Sequence, residues 1–262
     1  MTGQEMVAHM RESILDDSAV PFLWQDAELL RYLNYAEVQA CRRAHLLIDG
    51  TTSNDNGTAA TAGTFGQKPL CVLNVTANVA TYNLSPKVLQ VRRCQLMSMT
   101  YPLPGPKSYP ELDEYMSGWW GTVGTLGASG TYTTAGTSGT VGAAGTSGYP
   151  TYWLNEPGNT ITFVLAPSLN DIASLVVSRL PLTPFTLQTS PEIEEKHHEG
   201  LMNWAVHLAY LKNDSDTINL NLSKVYGDMF TAEFGPLPDA YSERIKKTLA
   251  QSQRMRPRTF GS

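Results

Sequence analysis

Glu194-Glu195-Lys196-His197-His198-Glu199 is the densest run of acid, base and metal-ligating side chains in the chain. A zinc helix of the HExxH type needs two imidazoles one turn apart, so that both reach the same ion. Four residues after His198 stands Met202, and four after His197 stands Leu201, so the pair is missing. His207 follows His197 by ten residues on nearly the same helical face, but two imidazoles without a third ligand hold a metal weakly. The run is expected to be a solvated helix face with His197 packed at its edge, and no metal site is assigned.

Motifs for nucleophilic and phosphate chemistry fail as well. There is no Gly-x-Ser-x-Gly elbow, and Gly63-Thr64-Phe65-Gly66-Gln67-Lys68 has glycines too close together and no Ser or Thr after its lysine. Asp16, Asp17, Glu111, Asp113 and Glu114 are expected to serve turns and helix caps. No catalytic or cofactor-binding residue, no cofactor and no enzyme class is assigned.

Charge is more informative than chemistry. Arg244, Lys246, Lys247, Arg254, Arg256 and Arg258 are six of the 19 basic residues, gathered in the last 19 positions. Such a tail could release counterions from nucleic acid. Tyr241, Ile245, Leu249, Met255 and Phe260 are interleaved with it, however, and that pattern fits a tail that docks in a protein groove with an acidic rim.

The whole chain of 262 residues carries 24 acidic residues against 19 basic ones, and only 16% of its residues are charged while 42% are hydrophobic. It can therefore bury a core, and general capture of nucleic acid is not expected. No apolar run reaches the roughly 18 residues of a membrane helix, and Glu5, Arg11 and Glu12 interrupt any secretory signal core, so a protein not exported by a cleaved signal is expected. Cys41, Cys71 and Cys94 lack CxxC spacing and sit in apolar segments, as buried reduced thiols do.

The elements that must position these residues change period twice. Val7, Met10 and Ile14 predict a short helix closed by Asp16-Asp17-Ser18 and Pro21, followed by an apolar plug, Phe22-Leu23-Trp24. Asp26 reads as the N-cap of a helix carrying Leu29, Leu30, Leu33, Ala36, Ala40, Ala44 and Leu47, with Gly50 as its stop. Residues 51–66 are rich in Thr, Gly and Asn, as a linker is. From residue 70 the pattern is strand-like: PLCVLNV, SPKVLQVRRCQLMSM, NTITFVLAP and IASLVVSRL, the last two joined by a turn of hairpin length at Ser168–Asp171. Helical spacing returns at Ser190-Pro191-Glu192, read as N-cap, first-turn proline and first-turn acid, with Ile193, His197, Leu201, Trp204, Leu208 and Leu211 on one stripe. A further helix carrying Ile218, Leu222, Val225, Tyr226, Met229 and Phe230 is expected from near Asp216 to Gly235-Pro236, packed antiparallel on the one before it, and a weaker one carries Tyr241, Ile245 and Leu249.

Between strands, glycine stands at every third position from 118 to 148 except 133. The absence of proline there argues against a collagen helix. Extended three-residue-per-turn arms and a plain Gly/Thr loop both remain open.

The expected fold is α+β. Residues 1–68 and 190–238 form a helical bundle, residues 69–189 an inserted antiparallel β-sandwich-like domain holding the stretch 118–148, and residues 239–262 a C-terminal helix and basic extended tail.

Three segments carry a resemblance to a known family. DDSAVPFLWQDAELLRYLNYAEVQACRR at 16–43, SPEIEEKHHEGLMNWAVHLAYLKNDSDT with the following FTAEFG, and the strand TYNLSPKVLQV resemble the head-to-tail adaptor, or connector, proteins of short-tailed bacteriophages. The resemblance covers about half of the chain and is carried by packing and turn residues. It implies a structural virion protein at the head–tail junction, assembled in the host cytoplasm as a ring of about a dozen copies. Its partners would be the portal protein, the tail nozzle protein and further copies of itself, with double-stranded DNA passing through without specific binding. It also implies that the C-terminal residues Tyr241, Arg244, Ile245, Lys246, Lys247, Leu249, Arg254, Met255, Arg256, Arg258 and Phe260 reach the portal, so that removing residues 240–262 abolishes portal association. The glycine triplets depart from the family pattern. The alternative is a host-recognition or glycan-binding tail protein, suggested by Trp119, Trp120, Tyr149, Tyr152 and Trp153 in the β region.

Overall fold

The computed structural model describes residues 1–17, 19–50, 70–116, 119, 147–156, 159–213 and 218–239. The architecture mixes α-helices with antiparallel sheets and divides into two units, one made of Met1–Leu47 with Arg179–Pro238 and the other built on Ile48–Ser178.

In the first unit, α1 (Gly3–His9) starts from a capping box in which the Glu5 amide donates to Thr2 Oγ1 and the Thr2 amide donates to Glu5 Oε2. It runs on through a π-helical turn, Met10–Leu15, that stops at Asp16 in the left-handed region. Helix α2 (Asp26–Ala44) turns Leu29, Leu33, Ala36 and Ala40 inward as their spacing predicts. Both of its ends differ from expectation. Gln25 is the N-cap, because the Asp26 carboxylate is taken by Arg11. The helix stops at left-handed His45 rather than at Gly50, because Leu47–Gly50 forms strand β1 and spends its backbone hydrogen bonds on the sheet.

Residues 190–192 do not begin a helix. The Glu192 carboxylate accepts instead from Arg179 at 2.5 Å and from the amides of Leu182 and Thr183, which ties down the segment ahead of the helix. A 3₁₀ turn at Glu195–His197 then leads into α4 (His198–Tyr210), the label α3 belonging to a helix of the second unit. Helix α5 (Leu220–Phe234) is capped by Asn219, whose Oδ1 accepts from the Leu222 amide, and ends at Gly235 with φ 87°. Asp216, the expected start, lies outside the described residues. Helices α4 and α5 are antiparallel, since His197 meets Glu233 at one end and Tyr210 stacks on Tyr226 towards the other. The unit's core joins Met6, Met10, Trp24, Leu29, Leu33, Leu201, Ala205 and Phe230.

In the second unit, β2 (Val72–Val75) pairs antiparallel with β9 (Asp171–Arg179), which also pairs with β1 and with β4 (Val88–Leu96). A second sheet has the order β3 (Thr81–Asn83), β7 (Thr160–Val164), β6 (Tyr152–Glu156), all antiparallel, with Trp153 opposite Phe163. The expected hairpin of NTITFVLAP with IASLVVSRL is therefore not formed. Leu165 at φ 67° turns the chain after β7, and Ala166–Pro167 (β8) pairs in parallel with Ser147–Gly148 (β5), so β7 and β9 belong to different sheets. Ala173, Leu175 and Val177 alternate inward along β9 onto Val88, Val91, Cys94, Ile161 and Phe163. Helix α3 (Tyr109–Tyr115), begun by a Ser108–Glu111 capping box, sets Leu112 beside Trp119, Leu154 and Val164. All three cysteines are buried, and burial pushes the Cys41 and Cys94 thiols up to about 12. The linker 51–66 and, apart from Trp119 and Ser147–Gly148, the triplet stretch lie outside the described residues.

Candidate functional site

The acidic and histidine run is dispersed by the fold. Glu194 pairs with Lys196 at the surface, and Glu195 takes the amino group of Met1 at 2.8 Å. These hydrogen bonds hold both carboxyls below the usual range. His198, not His197, is the buried member. Its Nδ1 lies 3.2 Å from the Met1 amino group and its Nε2 3.2 Å from the Ile193 carbonyl, and burial lowers its pKa, consistent with a neutral ring that donates through Nε2. His197 Nδ1 sits 3.0 Å from Glu233. No group of three or more metal-ligating side chains occurs among the described residues.

His207 and Ser223 form a serine–histidine contact of the kind a nucleophile needs, with Oγ 2.9 Å from Nδ1. Ser223 Oγ also donates to the His207 carbonyl at 3.0 Å, and the serine is 2% exposed. The pair locks α4 to α5 and offers no approach for a substrate.

Asp17 is more than a turn residue. It is buried against Arg11, whose Nη1 lies 2.6 Å from its Oδ2, and it accepts the amides of Leu23 and Trp24. Arg11 also binds Asp26 at 2.7 Å and the Trp24 carbonyl, and its guanidinium lies over the Phe22 ring. One buried cation thus fixes the apolar plug at the entry to α2. Of the other carboxylates, Glu111 caps α3 as expected, and Asp113 accepts from Trp119 Nε1 at 2.8 Å.

Among the described aromatic residues behind the glycan reading, Tyr149 is exposed and Tyr152 partly buried. Trp119 and Trp153 are core residues, 1% and 0% exposed, and Trp120 lies outside the described residues.

Surface chemistry is concentrated instead on α5. Ser223, Phe230 and Phe234 are buried on its inner face, and Arg43 of α2 spans Trp204 and Phe230 while donating to Thr231 Oγ1 and the Gly235 carbonyl. The outer face carries a second apolar row. Ile218, just ahead of the helix, and Leu222, Val225 and Met229 recur at four, three and four residues and are 39–52% exposed. Leu220 and Leu237 nearby are 64% and 60% exposed. The four side chains of the row leave roughly 350 Å² open, the size of the largest patch on a typical monomer, which is often functional. Asp228 flanks the row on one side with the helix's one cation, Lys224, beyond it, and on the other side the Glu233 carboxylate is taken by His197. Sequence reasoning placed Ile218, Leu222, Val225 and Met229 on this helix with Tyr226 and Phe230, without dividing them between faces. The signal that separates two faces is an apolar set too wide for a single core contact.

The tail residues Tyr241, Arg244, Ile245, Lys246, Lys247, Leu249, Arg254, Met255, Arg256, Arg258 and Phe260 all lie outside the described residues, directly after the exit Gly235-Pro236-Leu237-Pro238. No helix among the described residues is long and apolar enough to cross a membrane.

Against known proteins, no curated sequence matches the chain. The family model for the SU10 adaptor protein matches residues 1–258, nearly the entire length. With its helices, sheets and wide open helix face described, the chain belongs to the SU10 adaptor protein family, the phage head-to-tail adaptors.

Proposed function

We propose that this protein forms a ring of about a dozen copies seated between the portal protein and the tail nozzle protein, around the channel through which double-stranded DNA leaves the head. The observation that carries this reading is the family match over residues 1–258. In it the helical unit is a bundle, the β unit is a sandwich-like insertion, and the C-terminal residues dock on the portal. Assembly takes place in the host cytoplasm.

Charge supports the arrangement. Residues 239–262 hold six basic and two acidic side chains, which leaves 13 basic against 22 acidic for the rest. A channel built from acidic subunits does not retain phosphate, so DNA slides through without specific binding. The cationic end is suited to an acidic groove on another protein.

Deleting residues 251–262 removes Arg254, Met255, Arg256, Arg258 and Phe260 and leaves the described structure intact. The deletion is expected to abolish co-sedimentation with purified portal while circular dichroism stays unchanged. Undiminished co-sedimentation would refute the docking role.

A further inference from the structure

From the end of β9 to the 3₁₀ turn at Glu195, residues 180–194 form neither helix nor strand, yet Pro181, Phe185, Pro191 and Ile193 are buried. Such a segment must find backbone partners outside itself. The Asn34 carboxamide of α2 supplies two, accepting from the Phe185 amide at 2.9 Å and donating to the Phe185 carbonyl at 3.1 Å. The Gln4 and Gly3 amides at the start of α1 donate to the Leu187 and Thr189 carbonyls. One turn along α2 from Asn34, Glu37 accepts the Glu192 and Ile193 amides, and His198 Nε2 of α4 lies 3.2 Å from the Ile193 carbonyl.

These anchors respond differently to protons. Asn34 and the α1 amides are neutral, so they hold the middle of the segment alike on both sides of pH 7. Glu37 holds its end with a carboxyl that is 1% exposed, and the Glu192 carboxylate acts on it. Arg179, the cation of this cluster, is 2% exposed and gives its Nη1 to Glu192 at 2.5 Å. Two carboxylates around one arginine would leave a net buried charge, which a proton on Glu37, the more deeply buried of the two, removes. Cys41, on the next turn of α2, is held as a neutral thiol and His198 as a neutral ring, so neither offsets the charge that Glu37 gains on ionising.

We propose that residues 190–194 are a proton-controlled latch, which lies on α2 while Glu37 is protonated and detaches when Glu37 ionises. Detachment lets water reach the new charge and breaks no hydrogen bond of a helix or strand. The Asn34 and α1 anchors keep the middle of the segment in place, and α4 keeps the far end. Burial, which pushes the Glu37 carboxyl up to about 7, sets the pH at which the latch works. The latch belongs to the single chain and is independent of the ring.

The test is hydrogen exchange of the full-length chain, read by mass spectrometry at pH 6 and pH 8 and corrected for the chemical exchange rate. With a detached Glu37 at its ordinary 4.5, opening of peptides spanning residues 190–194 is expected to rise about tenfold between the two pH values. At pH 8 these peptides should also exchange at least tenfold faster than those of α4, residues 201–210, because α4 stays folded when the latch opens. In Glu37→Gln the rise should vanish. Equal exchange in the two regions would show that only global unfolding exposes residues 190–194, and would overturn the latch. A rise that persists in Glu37→Gln, or no rise in the parent chain, would overturn it too, and the parent measurement decides even if the variant does not fold.

Discussion

Glu37 is 1% exposed on α2, and its Oε1 accepts the amides of Glu192 at 2.6 Å and Ile193 at 3.3 Å. Burial pushes its carboxyl up to about 7 from the ordinary 4.5; the two amides and Arg179 oppose the rise, and the Glu192 charge adds to it. Between those values the folded chain holds a proton that the unfolded chain has lost. The stability this adds is complete below about 4.5 and disappears as pH climbs through about 7, an effect on the order of 3 kcal/mol. Glu37→Gln keeps an acceptor for both amides and has no charge to bury. Its melting temperature is expected to change less than the parent's between pH 5 and 8 and to match or exceed it at pH 8; identical pH profiles would contradict this assignment. Arg11 has the opposite character, a buried charge held by partners on three sides. Arg11→Ala leaves Asp17 buried without its counter-ion and should cost about 3–5 kcal/mol in urea denaturation. A loss below about 1 kcal/mol would show that water compensates the site.

At the scale of elements, periodicity located most helices and strands, and tertiary contacts moved their ends. Leu29, Leu33, Ala36 and Ala40 revealed the inner face of α2, but the start at Gln25 depends on Arg11 claiming Asp26, a contact made across 15 residues. Ser190-Pro191-Glu192 has the composition of a helix start. It fails as one because Glu192 is held by Arg179 and by two amides ahead of it, none of which local spacing reveals. The turn after β7 looked like a hairpin because sequence alone does not show that Leu165 adopts φ 67°. The candidate site was half legible. Its residues were named, but their division into buried and open faces required the position of α4, and the tail residues lie outside the described structure. One close approach supplies a test. Gly3 donates to the Thr189 carbonyl at 3.0 Å and Gln4 to that of Leu187 at 2.8 Å, and a Cβ on Gly3 would lie 2.5 Å from the Thr186 oxygen. Because that oxygen is backbone, Gly3→Ala should destabilise the helical unit by about 1–3 kcal/mol on chemical denaturation. An unchanged midpoint would show that α1 is not held as described.

For the whole molecule, the account rests on division of labour. Two units have their own cores, a buried arginine and a buried glutamate fix the helical one, and the surface left over is a wide apolar face followed by a cationic end. Membership of an adaptor family fits a protein whose work is to be held by its neighbours. The measurement that bears most directly on this is the position of the chain in the intact particle. Electron cryomicroscopy of virions, with the chain traced in the density, is predicted to find it as a closed ring in contact with the portal on one side and the tail nozzle on the other. Finding it at the fibre tips, or finding portal and nozzle in direct contact with no ring between them, would contradict the account.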